Sequence, residues 1–216
     1  MGAACHRRSL SHTLGVPTRT GIDIGIIEAT GTDLDQNFTR GCDRGWPVFA
    51  VVELVDTAML RSKGFATEEI PGGCFCCRFN SLVDAAAKLT KQSRPDVFIA
   101  EPVGSCTDLV ATVTYPLRRI YGEDFSIAPL SVLVDPIRAS RIFGLSDGGN
   151  FSKKVIYIYR KQLEEADLIV VNKTDLLEPD ALTALSANLA EEFPHAEVLQ
   201  VSARTGEGMD NWFSKI

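Results

Sequence analysis

The chain has 216 residues, of which 45% are hydrophobic and 23% charged, and its formal net charge is −6. That suffices for one α/β domain with a sizeable core, and the mild acidity gives no electrostatic basis for nucleic acid or an anionic membrane surface as partner. No run approaches the roughly 18 apolar residues of a membrane span, and Arg7 and Arg8 precede no apolar signal stretch, so a cytoplasmic protein is expected.

Residues 1–50 differ from the rest and form an atypical segment expected to be partly irregular. Gly21-Ile-Asp-Ile-Gly-Ile-Ile27 is compatible with a strand, but no amphipathic helix follows it. From Pro47 onward the pattern becomes regular, and residues 51–216 are predicted to form the folded domain. Apolar runs recur at Val48–Val52, Val97–Ala100, Ser131–Val134, Leu168–Val171 and Val198–Val201. Between them lie stripes at helical spacing. Leu82, Ala85, Ala86 and Leu89 form the first, and Phe151, Val155, Tyr159, Leu163 and Ala166 the second. Leu182, Leu185, Leu189 and Phe193 form the third, with Pro179 near its start and Pro194 at its end. Strands alternating with helices predict an α/β fold, a mostly parallel sheet with helices on both faces.

Four apolar runs close on a polar residue: Glu101, Asp135, Asn172 and Ser202. In an open parallel sheet the strands' carboxyl ends share one edge, where ligands bind. These four groups are therefore expected to converge on one site.

Leu168–Val171 runs into Asn172-Lys173-Thr174-Asp175. A carboxylate at the fourth position accepts two parallel hydrogen bonds, as guanine's N1–H and exocyclic amine offer them. Adenine has an acceptor at that ring nitrogen and would leave the carboxylate unpaired. The Lys173 stem can lie along the base, and Asn172 can tie neighbouring loops together. The alternative is a plain polar strand-to-helix turn. A second strand ends in Ser202-Ala203 about 30 residues later, followed by Arg204-Thr-Gly-Glu-Gly208. It resembles the GTPase segment whose alanine N–H meets guanine O6, and one crossover helix fits between the two elements.

Cys74, Cys76 and Cys77 fall within four residues, which reads first as a metal site and second as a redox site. Thiolates suit zinc or Cu(I), and a structural zinc ion wants four ligands. An extended strand would turn Cys77 away from the other two, so shared ligation needs a turn, and Pro71-Gly72-Gly73 permits one. Glu68, Glu69 or water are candidates for the fourth ligand; buried structural thiols or a regulatory disulfide are the alternatives. Cys5, Cys42 and Cys106 are scattered and read as inert thiols, and His6, His12 and His195 lie off every motif.

Gly73-Cys74-Phe75-Cys76-Cys77 resembles the G-C-x-C-C motif of the CobW-type metal-chaperone GTPases, relatives of the hydrogenase and urease nickel-insertion proteins. Ile99-Ala100-Glu101-Pro102-Val103-Gly104 matches that family's strand followed by Glu-x-x-Gly, and Gln162–Asp167 fits it too. The resemblance implies a P-loop GTPase-like fold and a transition metal, commonly zinc, on Cys74, Cys76 and Cys77. It also implies GTP hydrolysis coupled to delivery of that metal to a client metalloprotein. Glu101 would act at magnesium and the catalytic water, and the Gly104 N–H would sense the γ-phosphate.

The chain departs from that family in having no Gly-Lys pair, so a phosphate-binding loop of the form G-x-x-x-x-G-K-[ST] is absent from the sequence. Thr30-Gly31-Thr32 is the nearest imitation, and the P-loop strand itself is expected to be missing. Losing several charge-assisted bonds of ~1.5–3 kcal/mol each would weaken nucleotide binding by roughly three to six orders of magnitude. The resemblance starts abruptly near Leu54–Met59, so residues 1–50 are expected to be foreign to the family, through a frameshift, a mis-set start or a rearranged gene. Three hypotheses follow: a metal-loading GTPase, a non-enzymatic thiolate metal binder with a vestigial nucleotide fold, and a defective fragment that folds poorly.

Overall fold

The computed structural model describes residues 22–29, 48–52, 57–62, 64–70, 74, 76–92, 97–121 and 125–216, the first two stretches as backbone only. Among the described residues eight strands form one sheet: β1 Ile22–Ala29, β2 Val48–Val52, β3 Ala66–Glu69, β4 Val97–Ala100, β5 Phe125–Ile127, β6 Ser131–Val134, β7 Leu168–Val171 and β8 Glu197–Gln200. Their order is β3-β2-β4-β1-β6-β7-β8, with β5 beside β1, and every ladder among them is parallel.

The segment expected to be irregular therefore supplies a central strand. β1 pairs with β4 as far as Ile26 opposite Ala100, and with β6 as far as Ala29 opposite Leu133. β2 runs across the boundary expected at residue 50. Ile22-Asp-Ile-Gly-Ile-Ile27 has the β-branched content of a buried strand, and what hid its place was the lack of a helical pattern after it. Thr30-Gly31-Thr32 lies outside the described residues.

Period-two alternation divides the strand side chains between two helical layers. Val132, Val134, Ile169 and Val171 pack with Ala139, Tyr159, Leu163, Leu185 and Leu189 from the helices Pro136–Ile142, Lys153–Glu165 and Pro179–Glu192. Phe98 and Ala100 pack with Leu82, Ala85, Ala86 and Leu89 of the helix Phe79–Gln92, and with Leu109, Val113 and Leu117. The alternate set, Ile99, Leu133, Leu168 and Val170, meets Leu60 from the helix Thr57–Ser62 and Met209 and Trp212 from the helix Met209–Phe213. Each fully buried aliphatic side chain contributes about 1.5–3 kcal/mol, which makes the strand-to-helix stripes the main source of stability. Trp212 is fully buried, and its Nε1 donates to Ser131 Oγ at 3.1 Å.

The helix starts are chemically specified. Asp135 caps Pro136–Ile142 by accepting from the Arg138 N–H at 2.9 Å, with Pro136 in the first turn. Ser152 accepts from the Val155 N–H at 3.3 Å to open Lys153–Glu165, so the Val155–Tyr159 stretch is helical. Among the described residues no helix is long and apolar enough to cross a membrane.

Candidate functional site

The parallel registers place Glu101, Asp135, Asn172 and Ser202 just past the carboxyl ends of β4, β6, β7 and β8, on one edge of the sheet. At its β7–β8 end, Asn172 is buried and its Oδ1 accepts from the Lys173 N–H at 2.8 Å and the Ala203 N–H at 3.1 Å. One amide thus ties together the two loops that carry the guanine-like motifs. Ser202 Oγ donates to Asp175 Oδ1 at 2.6 Å, and the Arg204 guanidinium pairs with Asp175 Oδ2. Lys173 adopts a left-handed conformation at φ 61°, and its Nζ lies 3.2 Å from Asp135 Oδ2.

The expected guanine-binding residues are therefore together, but internally engaged. The Ala203 N–H points to Asn172, and both oxygens of Asp175 have protein partners. Asp135 plays a part the sequence reading did not give it: one oxygen caps a helix and the other pairs with Lys173.

Across the sheet, Glu101 is half-buried just past β4 and Gly104 is exposed. Gln162, which is 2% exposed, donates from Nε2 to Gly104 O at 3.2 Å and Cys106 O at 2.9 Å. The Glu165 carboxylate accepts from the Asp108 and Val110 N–H groups at the start of the π-helix Val110–Thr114. The end of the Lys153–Glu165 helix thus clamps residues 104–110.

The thiols gather beside this clamped segment. The Cys77 N–H donates to Cys74 O at 3.1 Å, which is the turn that shared ligation requires. Cys76 Sγ lies 3.7 Å from Cys77 Sγ and 3.2 Å from Cys106 Sγ, and Cys106 Sγ donates to Cys74 Sγ at 2.8 Å. Cys77 is exposed at the rim, whereas Cys106, expected to be inert, is buried among sulfurs. The signal that marks Cys106 is its place five residues after Glu101, on the sheet edge that β3 also feeds. Glu68 instead pairs with Lys88, at 3.5 Å.

The cluster holds one negative charge most easily. The Cys106 S–H bond carries the Cys74 thiol down to about 5, against the opposing effect of burial. Cys106 is pushed up because its proton is held in that bond and because it is buried. Burial, followed by the hydrogen bond to Cys74, lifts Cys76 to about 12. Soft sulfurs with one preformed thiolate suit a transition-metal cation.

Residues 50–200 match the model of the CobW/HypB/UreG nucleotide-binding domain. The chain belongs to this family. It is 31% identical over 134 residues to the zinc chaperone YeiR of Escherichia coli (strain K12), covering 61% of this chain and 37% of that one. It is 29% identical over 166 residues to the hydrogenase maturation factor HypB of Azotobacter vinelandii, covering 74% and 46%. The chain thus spans less than half the length of these curated relatives. The crystal structure of HypB from Archaeoglobus fulgidus superposes with a TM-score of 0.58 at 20% identity, covering 91% of this chain and 88% of that one, and shows the same fold. The part matched to the CobW/HypB/UreG model contains Cys74, Cys76, Cys77, Glu101, Cys106 and Asn172 through Asp175, and ends two residues before Ser202.

Proposed function

We propose that this chain is a metal carrier of the metal-chaperone GTPase type, holding a zinc-like transition metal on Cys74, Cys76 and Cys77 and reading guanine nucleotide at the far end of the same sheet edge. The observation that carries it is this shared edge: the thiol cluster follows β3 and β4, the guanine motif follows β7 and β8, and β1 and β6 lie between. A nucleotide laid along a parallel sheet's carboxyl edge reaches from one toward the other. The zinc-chaperone relative YeiR supports the same reading.

In this reading Asp175 receives the guanine N1–H and amine once Arg204 moves aside, Ser202 orients the carboxylate, and Asn172 and Lys173 shape the base pocket with Ala203. Glu101 would hold magnesium, which would polarise the attacking water, and the Gly104 N–H would meet the γ-phosphate. A metalloprotein client receives the metal. The phosphates are weakly held, because the sequence has no Gly-Lys pair to cradle them. That same absence favours a second reading, a thiolate metal binder that does not hydrolyse GTP.

Calorimetric titration with GTP and magnesium, with and without zinc, separates the readings. Zinc-dependent GTP binding with phosphate release supports the first. Zinc bound through the thiols with no GTP heat supports the second, and zinc binding unchanged in Cys74→Ser, Cys76→Ser, Cys77→Ser would sink both.

A further inference from the structure

We propose that Cys106 is itself a metal ligand, a thiolate that joins Cys74 and Cys76 around the ion, with the exposed Cys77 completing the set from the rim. This rests on the metal-carrier reading and adds to it a ligand from a different part of the chain. Cys74 and Cys76 come from the loop after β3, and Cys106 from the segment after β4. Their three sulfurs nevertheless lie within 4.8 Å of one another.

The placement of Cys106 is imposed by the fold. Its N–H donates to Val103 O at 2.8 Å, its carbonyl accepts from Gln162 at 2.9 Å, and it is 8% exposed. An inert buried thiol is typically surrounded by carbon. This one belongs to the hydrophobic cluster of Leu109 and Val113 and in addition has sulfurs at 2.8 and 3.2 Å. Tetrahedral zinc with bonds of about 2.3 Å sets its sulfurs about 3.8 Å apart. Cys76 and Cys77 already stand at 3.7 Å. Opening the inner trio by up to about 1 Å admits the ion, so four sulfurs can surround it without drawing on Glu68 or Glu69.

The consequence lies two residues upstream. Gly104 and Cys106 share the donor Gln162, so an ion bound to Cys106 braces the stretch from Val103 to Cys106. A metal gripped by this segment is directly tied to the backbone proposed to meet the γ-phosphate, whereas one gripped only by Cys74, Cys76 and Cys77 is not.

Cobalt(II) is the probe, bound to the full-length chain under reductant, because the near-ultraviolet thiolate-to-cobalt band grows with the number of bonded sulfurs. Cys106→Ser should lose about a quarter to a third of the wild-type band, as expected for one of three or four thiolates. Its zinc affinity, measured by chelator competition, should fall by on the order of 100-fold. Cys106→Ala, which keeps the apolar packing, should show both losses with the wild-type far-ultraviolet circular dichroism. A full band and unchanged affinity in either folded variant overturn the assignment. If the triple variant of Cys74, Cys76 and Cys77 abolishes the band while Cys106→Ser keeps it, only the Cys106 assignment falls. A wild-type chain with no cobalt–thiolate band overturns the carrier reading along with it.

Discussion

Ser202 Oγ donates to Asp175 Oδ1 across 2.6 Å, while the Arg204 guanidinium, two residues further on, pairs with the other oxygen. These two partners have opposite expected effects on nucleotide binding. Ser202 uses one acceptor position of Oδ1 and fixes the carboxylate's orientation, so Ser202→Ala should weaken binding of a fluorescent GTP analogue by about tenfold or more, at ~1.5–3 kcal/mol for a bond to a charged group. Arg204 competes for the guanine donors. It is 61% exposed, so breaking the pair costs only about 0.2–1 kcal/mol, and Arg204→Ala should tighten binding by up to about fivefold. Equal losses in both variants would contradict a guanine role for Asp175.

The thiol cluster has a pH signature in the metal-free protein. A thiol carried from the ordinary value of 9.0 down to about 5 keeps its thiolate at neutral pH, so iodoacetamide should label Cys74 at a rate half-maximal near pH 5. Cys76, held near 12, should stay unlabelled at neutral pH. Because the leading cause is the Cys106 S–H bond, Cys106→Ala should shift the Cys74 midpoint upward. Peptide mass mapping after timed labelling measures this, and a Cys74 rate that rises only near pH 9 would contradict it.

Gly208 should tolerate no side chain. Its φ is +72°, and an added Cβ would lie 2.0 Å from the Gln200 carbonyl oxygen, a backbone atom of β8 that cannot swing away. Gly208→Ala should therefore cost more than about 1 kcal/mol from the left-handed conformation alone, with the clash adding to it. Its melting temperature should fall by at least about 2–4 °C, and an unchanged value would show that the loop does not hug the strand.

Gln162→Leu tests the clamp on residues 104–110. Cys106 O is buried and would lose its donor, at about 1–3 kcal/mol, whereas Gly104 is exposed and water can replace the lost bond. Stability should fall by that amount in urea, and zinc affinity should fall with it because the backbone carrying Cys106 is loosened. Loss of stability with zinc affinity intact would confine Gln162 to a structural role.

Much of this architecture is written in local patterns. β2, β4, β6 and β7 occupy the predicted limits because strands of a parallel sheet read as continuous apolar runs, and β8 is displaced by a single residue. β3, Ala-Thr-Glu-Glu, lies at the sheet's edge and carries no apolar run, and β5 has only three residues, so neither stands out in the pattern. The convergence of Asn172, Asp175 and Ser202 is legible because each follows a readable strand. That of Cys106 is not, because its sulfur neighbours are 30 or more positions away and only the packing of β3 beside β2 and β2 beside β4 brings them near. The engagement of Ala203 and Asp175 within the protein is likewise a matter of loop geometry that spacing does not encode.

Among the described residues, β1 is the strand that connects the two halves of the sheet, laddering to β4 on one side and β6 on the other. It acts as a keystone. Excising residues 22–29 would leave the half beside the thiol cluster, β3-β2-β4, and the half that leads into Asn172–Asp175 and Ser202, β6-β7-β8, as separate slabs joined only by helices and loops. Any displacement that passes through the backbone ladders from one end of the sheet to the other has to cross these eight residues.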